Sequence, residues 1–131
     1  MLVADKLDPD GVKILESRGI EVRVEVGLEP EALIEAARDV DGILVRSASK
    51  ITADVLAAGD RLKAVGRAGI GVDNIDVPAA SRQGIVVMNT PTGNSVTTAE
   101  HALALLASLA RKIPQAVASM RSGKWQKSKF Q

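Results

Sequence analysis

Short apolar runs alternate with helical stripes over the first ninety residues. Met1–Ala4 is apolar and ends at Asp5-Lys6, which predicts a first strand. Asp8 or Asp10 then caps a helix with the stripe Val12, Ile14 and Leu15, stopped by Gly19. Ile20–Val26 sets Val22 and Val24 against Glu21, Arg23 and Glu25, the alternation of an edge strand with one wet face. Glu29-Pro30-Glu31 opens a second helix, with proline in its first turn and acids at its positive end. Leu33, Ile34 and Ala37 form its stripe, and it ends near Val40. Gly42–Val45 has no polar position and reads as a central strand, followed by the polar loop Arg46-Ser-Ala-Ser-Lys50. Thr52–Ala58 and Pro78–Gln83 read as short helices, each leading into an apolar run, Lys63–Gly66 for a helix-then-strand pair and Ile85–Met88 for the next.

Strands that alternate with helices across short gaps make parallel pairs with right-handed crossovers. With Ile20–Val26 at an edge, the fold class is α/β, a flavodoxin-like doubly wound sheet of five parallel strands in the order 2-1-3-4-5. From Val96 the period changes. Val96, Ala99, Leu103, Leu106, Ala110, Ile113, Val117 and Met120 step by three and four along one long C-terminal helix, and Ala102, Leu105 and Leu109 add a second stripe. Such a helix expects cover on more than one side. Thr97 with Glu100 offers a capping box, while Asn94 and Ser95 compete for the cap. Pro114 must kink or split the helix. The expected organisation is a core over residues 1–94, the helix over 95–121, and a basic tail over 122–131 that reads as a linker.

The length of 131 residues suffices for one domain with a real core. Forty-six per cent hydrophobic and 25 per cent charged residues argue against disorder. A net charge of +1 gives no reason to expect nucleic acid or a membrane surface as partner. No apolar run approaches the roughly 20 residues that span a bilayer, and charge at Asp5 argues against a signal peptide. The absence of cysteine excludes thiolate chemistry and fits a reducing, cytoplasmic setting. Trp125 and Phe130 are the only aromatics, so the core must be aliphatic.

Candidate chemistry gathers where strands end, since ligands of open parallel sheets sit outside the carboxyl edge. Arg46 and Ser47 follow a central strand; a guanidinium fork suits carboxylate or phosphate, and the hydroxyl adds a donor. Taken alone, Arg46 is equally a solvated surface residue; sharing an edge with Gly69, Gly71 and Asn94 favours anion binding. Arg67-Ala-Gly69-Ile70-Gly71-Val-Asp-Asn74 follows the next strand, and its arginine, two glycines and backbone amides are expected to be able to receive an anion. A dinucleotide fingerprint would need a third glycine at Asn74 and a helix starting at once. Neither is present, which leaves a glycine-rich turn or a loop cradling part of a substrate. Asn89–Ser95 runs into a helix N-terminus, a place that favours anions. His101, the only histidine, has no second catalytic group near it in sequence and reads as a packing or edge residue. No metal-ligand spacing or G-x-S-x-G nucleophile motif occurs. A signalling receiver would want acids at the ends of strands 1 and 3; Asp5 fits and Arg46 does not.

Leu44-Val-Arg-Ser-Ala48, Val65–Asp76, Val87–Ser95, Ala99–Leu106, Arg111-Lys-Ile-Pro114 and Gly123-Lys-Trp125 together resemble the D-3-phosphoglycerate dehydrogenases, members of the D-isomer-specific 2-hydroxyacid dehydrogenases. The resemblance implies oxidation of 3-phosphoglycerate with NAD in serine biosynthesis. It also implies that this sequence is the N-terminal substrate-binding domain, without the Rossmann domain that holds NAD and the catalytic arginine, glutamate and histidine; His101 does not match that histidine. No catalytic residue is therefore expected here, nor tight binding of NAD. The substrate side would comprise Arg46, Ser47, Gly69, Ile70, Gly71 and Asn94. Ile70 stands where relatives often carry threonine facing the nicotinamide, leaving only that weak cofactor contact. The expected partner is a small anion, 3-phosphoglycerate or a similar 2-hydroxy acid, bound weakly and without catalysis. The alternative is a stand-alone binding or self-association module, forming a homodimer or larger through the C-terminal helix.

Overall fold

A computed structural model describes residues 1–130. They form two compact units, Met1–Gly93 and a second from Asn94 onward. The first unit is the expected α/β sheet. Its elements are β1 (Leu2–Val3), α1 (Pro9–Ser17), β2 (Arg23–Val24), α2 (Pro30–Ala37), β3 (Gly42–Val45), α3 (Ala53–Ala58), β4 (Ala64–Arg67), α4 (Val77–Arg82) and β5 (Val86–Asn89). All strand pairs are parallel, in the order β2-β1-β3-β4-β5.

Register places Leu2, Ile43, Val65 and Val87 in one row across four strands. This row faces the main core, where Leu33 and Ala37 of α2, Val55 and Leu56 of α3, and Ala79 and Ala80 of α4 are buried with it. Successive strand residues point to opposite faces, so Val3, Leu44, Gly66 and Met88 form the row on the other face. A Cβ at Gly66 would come within 2.9 Å of Leu44 Cδ1, so glycine there lets the leucine lie across β4.

Helix starts follow the expected chemistry. The Asp8 carboxylate accepts from Asp10 N at 2.9 Å, Thr52 Oγ1 accepts from Val55 N, and Asp76 Oδ1 accepts from Ala79 N at 2.9 Å. Pro9, Pro30 and Pro78 occupy first turns, where no amide donor is missed.

Two details differ from the sequence expectation. In β2 the apolar residue is the open one: Val24 is 52 % exposed. Arg23 instead turns toward α2, donating from Nη2 to Ala36 O at 2.6 Å and pairing with Asp39. An arginine reaches those acceptors with its long stem covered, which a valine cannot match. The C-terminal helix is not one helix. In the second unit α5 (Ser95–Ala110) and α6 (Ile113–Arg121) are separated at Arg111-Lys112, and Lys112 adopts left-handed φ of 50°. Of a kink or a split, the chain takes the split, and Pro114 falls in the first turn of α6, where proline costs little. Asn94 holds the cap position of α5 without a side-chain bond. The helix thus begins before Thr97, and a Thr97–Glu100 box does not form. No helix among the described residues is long and apolar enough to cross a membrane.

Candidate functional site

Four loops leave the carboxyl edge of the sheet, after β1, β3, β4 and β5, and hydrogen bonds lace them together. Asp5, directly after β1, is 3 % exposed. Its Oδ2 accepts from Arg46 N at 2.7 Å and Ala48 N at 3.1 Å; its Oδ1 accepts from Ser49 N at 3.0 Å and Ser49 Oγ at 2.7 Å. Burial alone would raise the carboxyl pKa. The Ser49 hydroxyl and the amides of Arg46, Ser49 and Ala48 outweigh it, and the group is held below its ordinary value.

The same loop is gripped from the β4 side. Arg67 Nε donates to Arg46 O at 2.9 Å, and Arg67 Nη1 donates to Gly71 O. Asn74 Nδ2 donates to Arg46 O at 2.9 Å and Ser49 O at 2.7 Å. Ile51 and Ile75 bridge the two loops in parallel, through Ile51 N to Asn74 O and Asp76 N to Ile51 O, both at 2.8 Å. The glycine loop is fixed in turn to the end of β5: Thr90 N donates to Gly69 O at 2.9 Å, and Asn89 Nδ2 donates to Ile70 O at 2.6 Å.

Two arginines on neighbouring strand ends therefore differ in kind. The Arg67 side chain is 12 % exposed, with its guanidinium on two carbonyl oxygens and 3.6 Å from Asp73. Arg46 is exposed, and among the described residues its guanidinium makes one hydrogen bond, to Lys6 O at 3.5 Å. Ser47 is exposed beside it, and its amide makes no hydrogen bond among the described residues. This pair can offer a planar charged fork, a hydroxyl and an amide to one anion.

Of the residues expected from sequence, Arg46, Ser47, Gly69, Ile70 and Gly71 lie on this one edge, linked through Arg67. Ile70 is 40 % exposed and contributes apolar surface. Asn94 belongs to the second unit, at the cap of α5. His101 is exposed on α5. Asp5 and Asn74 are the residues whose roles sequence reasoning missed, and Arg67, expected on the anion-receiving side of its loop, is instead turned onto the carbonyls of Arg46 and Gly71. Asp5 did carry a signal, an acid at the carboxyl end of a strand, but its partners lie more than forty positions away.

The chain matches the family described as D-isomer specific 2-hydroxyacid dehydrogenase, catalytic domain, over residues 1–127. It belongs to that family. It is 52 % identical over 130 residues to D-3-phosphoglycerate dehydrogenase of Homo sapiens and 47 % identical to that of Archaeoglobus fulgidus. Each alignment covers 99 % of this chain but only 24 % and 25 % of the relative, so this dehydrogenase-family chain spans about a quarter of their length. A solved structure of NAD+-bound 3-phosphoglycerate dehydrogenase from Entamoeba histolytica superposes with a TM-score of 0.71 at 37 % identity, covering 85 % of this chain and 39 % of that one.

The residues present do not fit a dinucleotide. Gly71 leads into the Ile51–Ile75 bridge and not into a helix, and α4 begins only at Val77. The first turn of α4 is already capped by the Asp76 carboxylate, so its amides face an anion supplied by the chain itself. Among the described residues no group of three or more His, Cys, Asp or Glu could hold a metal ion.

Proposed function

We propose that this chain supplies the substrate-anion side of a D-3-phosphoglycerate dehydrogenase, a reaction in which 3-phosphoglycerate is oxidised at C2 and the hydride passes to NAD. Arg46 and Ser47 take a charged end of the substrate, and the backbone of Gly69–Gly71 lies along it with Ile70 as apolar surface beside the nicotinamide. The single observation behind this reading is the contrast on one edge: the exposed Arg46 guanidinium has one long bond, to Lys6 O, where Arg67 is held by two backbone carbonyls. The identity to phosphoglycerate dehydrogenases favours 3-phosphoglycerate over other 2-hydroxy acids. NAD would be held outside this chain, so the chain by itself is expected to bind substrate weakly and to turn nothing over, since no hydride acceptor is oriented against C2.

Amide NMR with 3-phosphoglycerate, inorganic phosphate and NAD as ligands tests this. Shifts at Arg46–Ser49 and Gly69–Asn74 from 3-phosphoglycerate, lost in Arg46→Ala, are expected. Equal binding by Arg46→Ala removes the assignment, and strong shifts from NAD alone would overturn the reading of the glycine loop.

A second reading, self-association, is favoured by α5, on which Leu103, Leu105, Leu106 and Leu109 are each more than half exposed. A second copy of the chain is the proposed cover.

A further inference from the structure

The loop after β3 contains an anion site that the protein fills itself. Backbone amides of Arg46, Ala48 and Ser49 and the Ser49 hydroxyl converge on one point at 2.7–3.1 Å, and the occupant is the buried Asp5 carboxylate. Converging amides of this kind form the concavities that bind small anions. No lysine or arginine side chain forms a salt bridge with Asp5. Its charge is balanced by dipoles, and those dipoles all belong to one four-residue loop. Opposite it, Arg67 and Asn74 donate to Arg46 O and Ser49 O. The peptide groups on both sides of Arg46 are thus fixed, while its side chain and the amide of Ser47 are left outward.

We propose that Asp5 is a positioning residue for anion capture. Its carboxylate draws three loop amides inward and so presents Arg46 and Ser47, alone among the residues of this loop, to the ligand. This rests on the reading of the edge as an anion site. It also changes that reading in one respect: the amides of Arg46, Ala48 and Ser49 belong to Asp5 and are closed to substrate.

The test is 3-phosphoglycerate affinity by amide NMR in the wild-type chain and in Asp5→Asn, Asp5→Ala and Ser49→Ala. Asp5→Asn keeps the shape but turns an amide donor toward loop donors, and binding should weaken about tenfold. The Ile43 and Val65 amides should stay in place as the control for folding. Asp5→Ala empties the nest. Added formate, a carboxylate that fits the space, should raise its affinity for 3-phosphoglycerate, while in the wild type formate competes with ligand and lowers it. This opposite sign is something a merely structural residue would not give. Wild-type-like affinity in Asp5→Asn, or formate lowering affinity in both proteins, overturns the proposal. If both Asp5 variants fail to fold, Ser49→Ala decides: a loss of about threefold supports the proposal and an unchanged affinity overturns it. No binding by the wild type removes the anion-site reading and this proposal with it, a failure distinct from that of the variants.

Discussion

Arg46 and Arg67 end neighbouring strands, and the same residue type does opposite work at the two positions. Arg67 donates to two loop carbonyls from a nearly covered position, so Arg67→Ala should cost about 1 kcal/mol in urea unfolding: Gly71 O loses its donor, while Arg46 O keeps the one from Asn74. Arg46→Ala removes one contact of 3.5 Å and should leave stability within about 0.5 kcal/mol while abolishing 3-phosphoglycerate shifts. A variant pair with the reverse pattern would exchange the two assignments. Asn74 is a third decisive residue, because its amide bridges Arg46 O and Ser49 O. Asn74→Asp would face those carbonyls with a carboxylate and should lower the unfolding free energy by about 2 kcal/mol or more. The sequence displayed all three residues. Nothing in it separates a guanidinium engaged by backbone carbonyls from one that is not, since Arg46 O comes from a different loop and Gly71 O from a turn that the assembled edge holds in place. The exposed position of Arg46 at a strand end was legible; the bonds that turn Arg67 and Asn74 onto the loop backbone were not.

At the scale of elements, local rules decided more. Strands β1, β3, β4 and β5 and the caps at Asp8, Thr52 and Asp76 follow from apolar runs and from side chains that accept a nearby amide. The break between α5 and α6 is the exception in position. Proline called for a break, but the turn is made by Lys112, which takes the left-handed conformation after α5 at a place where glycine is usual. Lys112→Gly should therefore stabilise the second unit by about 0.5–1 kcal/mol, read from the midpoint of its helical signal on urea unfolding. An unchanged or lower midpoint would mean that contacts of the lysine outweigh its backbone cost. The reversed faces of β2 were not legible, because the acceptors that hold Arg23 lie on and just past α2.

For the whole molecule, Asp5 links folding to pH. Its folded pKa is depressed, so its contribution is fully present above the ordinary carboxyl pKa of about 4 and is lost as pH falls through the lower folded value. The stability gap between wild type and Asp5→Asn, measured by urea unfolding, should therefore be constant near neutrality and close below about pH 4. A gap that persists to acid would assign the loss to shape and not to charge. Association belongs to the same scale. α5 has no buried residue, and four leucines exposed by more than half of their surface are a liability in water. Light scattering is expected to give a dimer or larger species that Leu106→Glu with Leu109→Glu converts to monomer. A dilution-stable monomer before mutation would exclude a second copy as the cover.

The sequence by itself determined the class of fold, the strand order and which residues stand at the carboxyl edge of the sheet. Each of these depends on the periodicity of apolar side chains and on short-range capping, and both act between neighbours in the chain. Tertiary structure decided which polar groups at that edge remain free. Asp5 and Ser49 stand forty-four positions apart, Arg67 and Arg46 twenty-one, and their hydrogen bonds exist only once three parallel strands bring the loops together. A donor becomes available to a ligand when folding leaves it without a partner, and that is a property of the assembled edge.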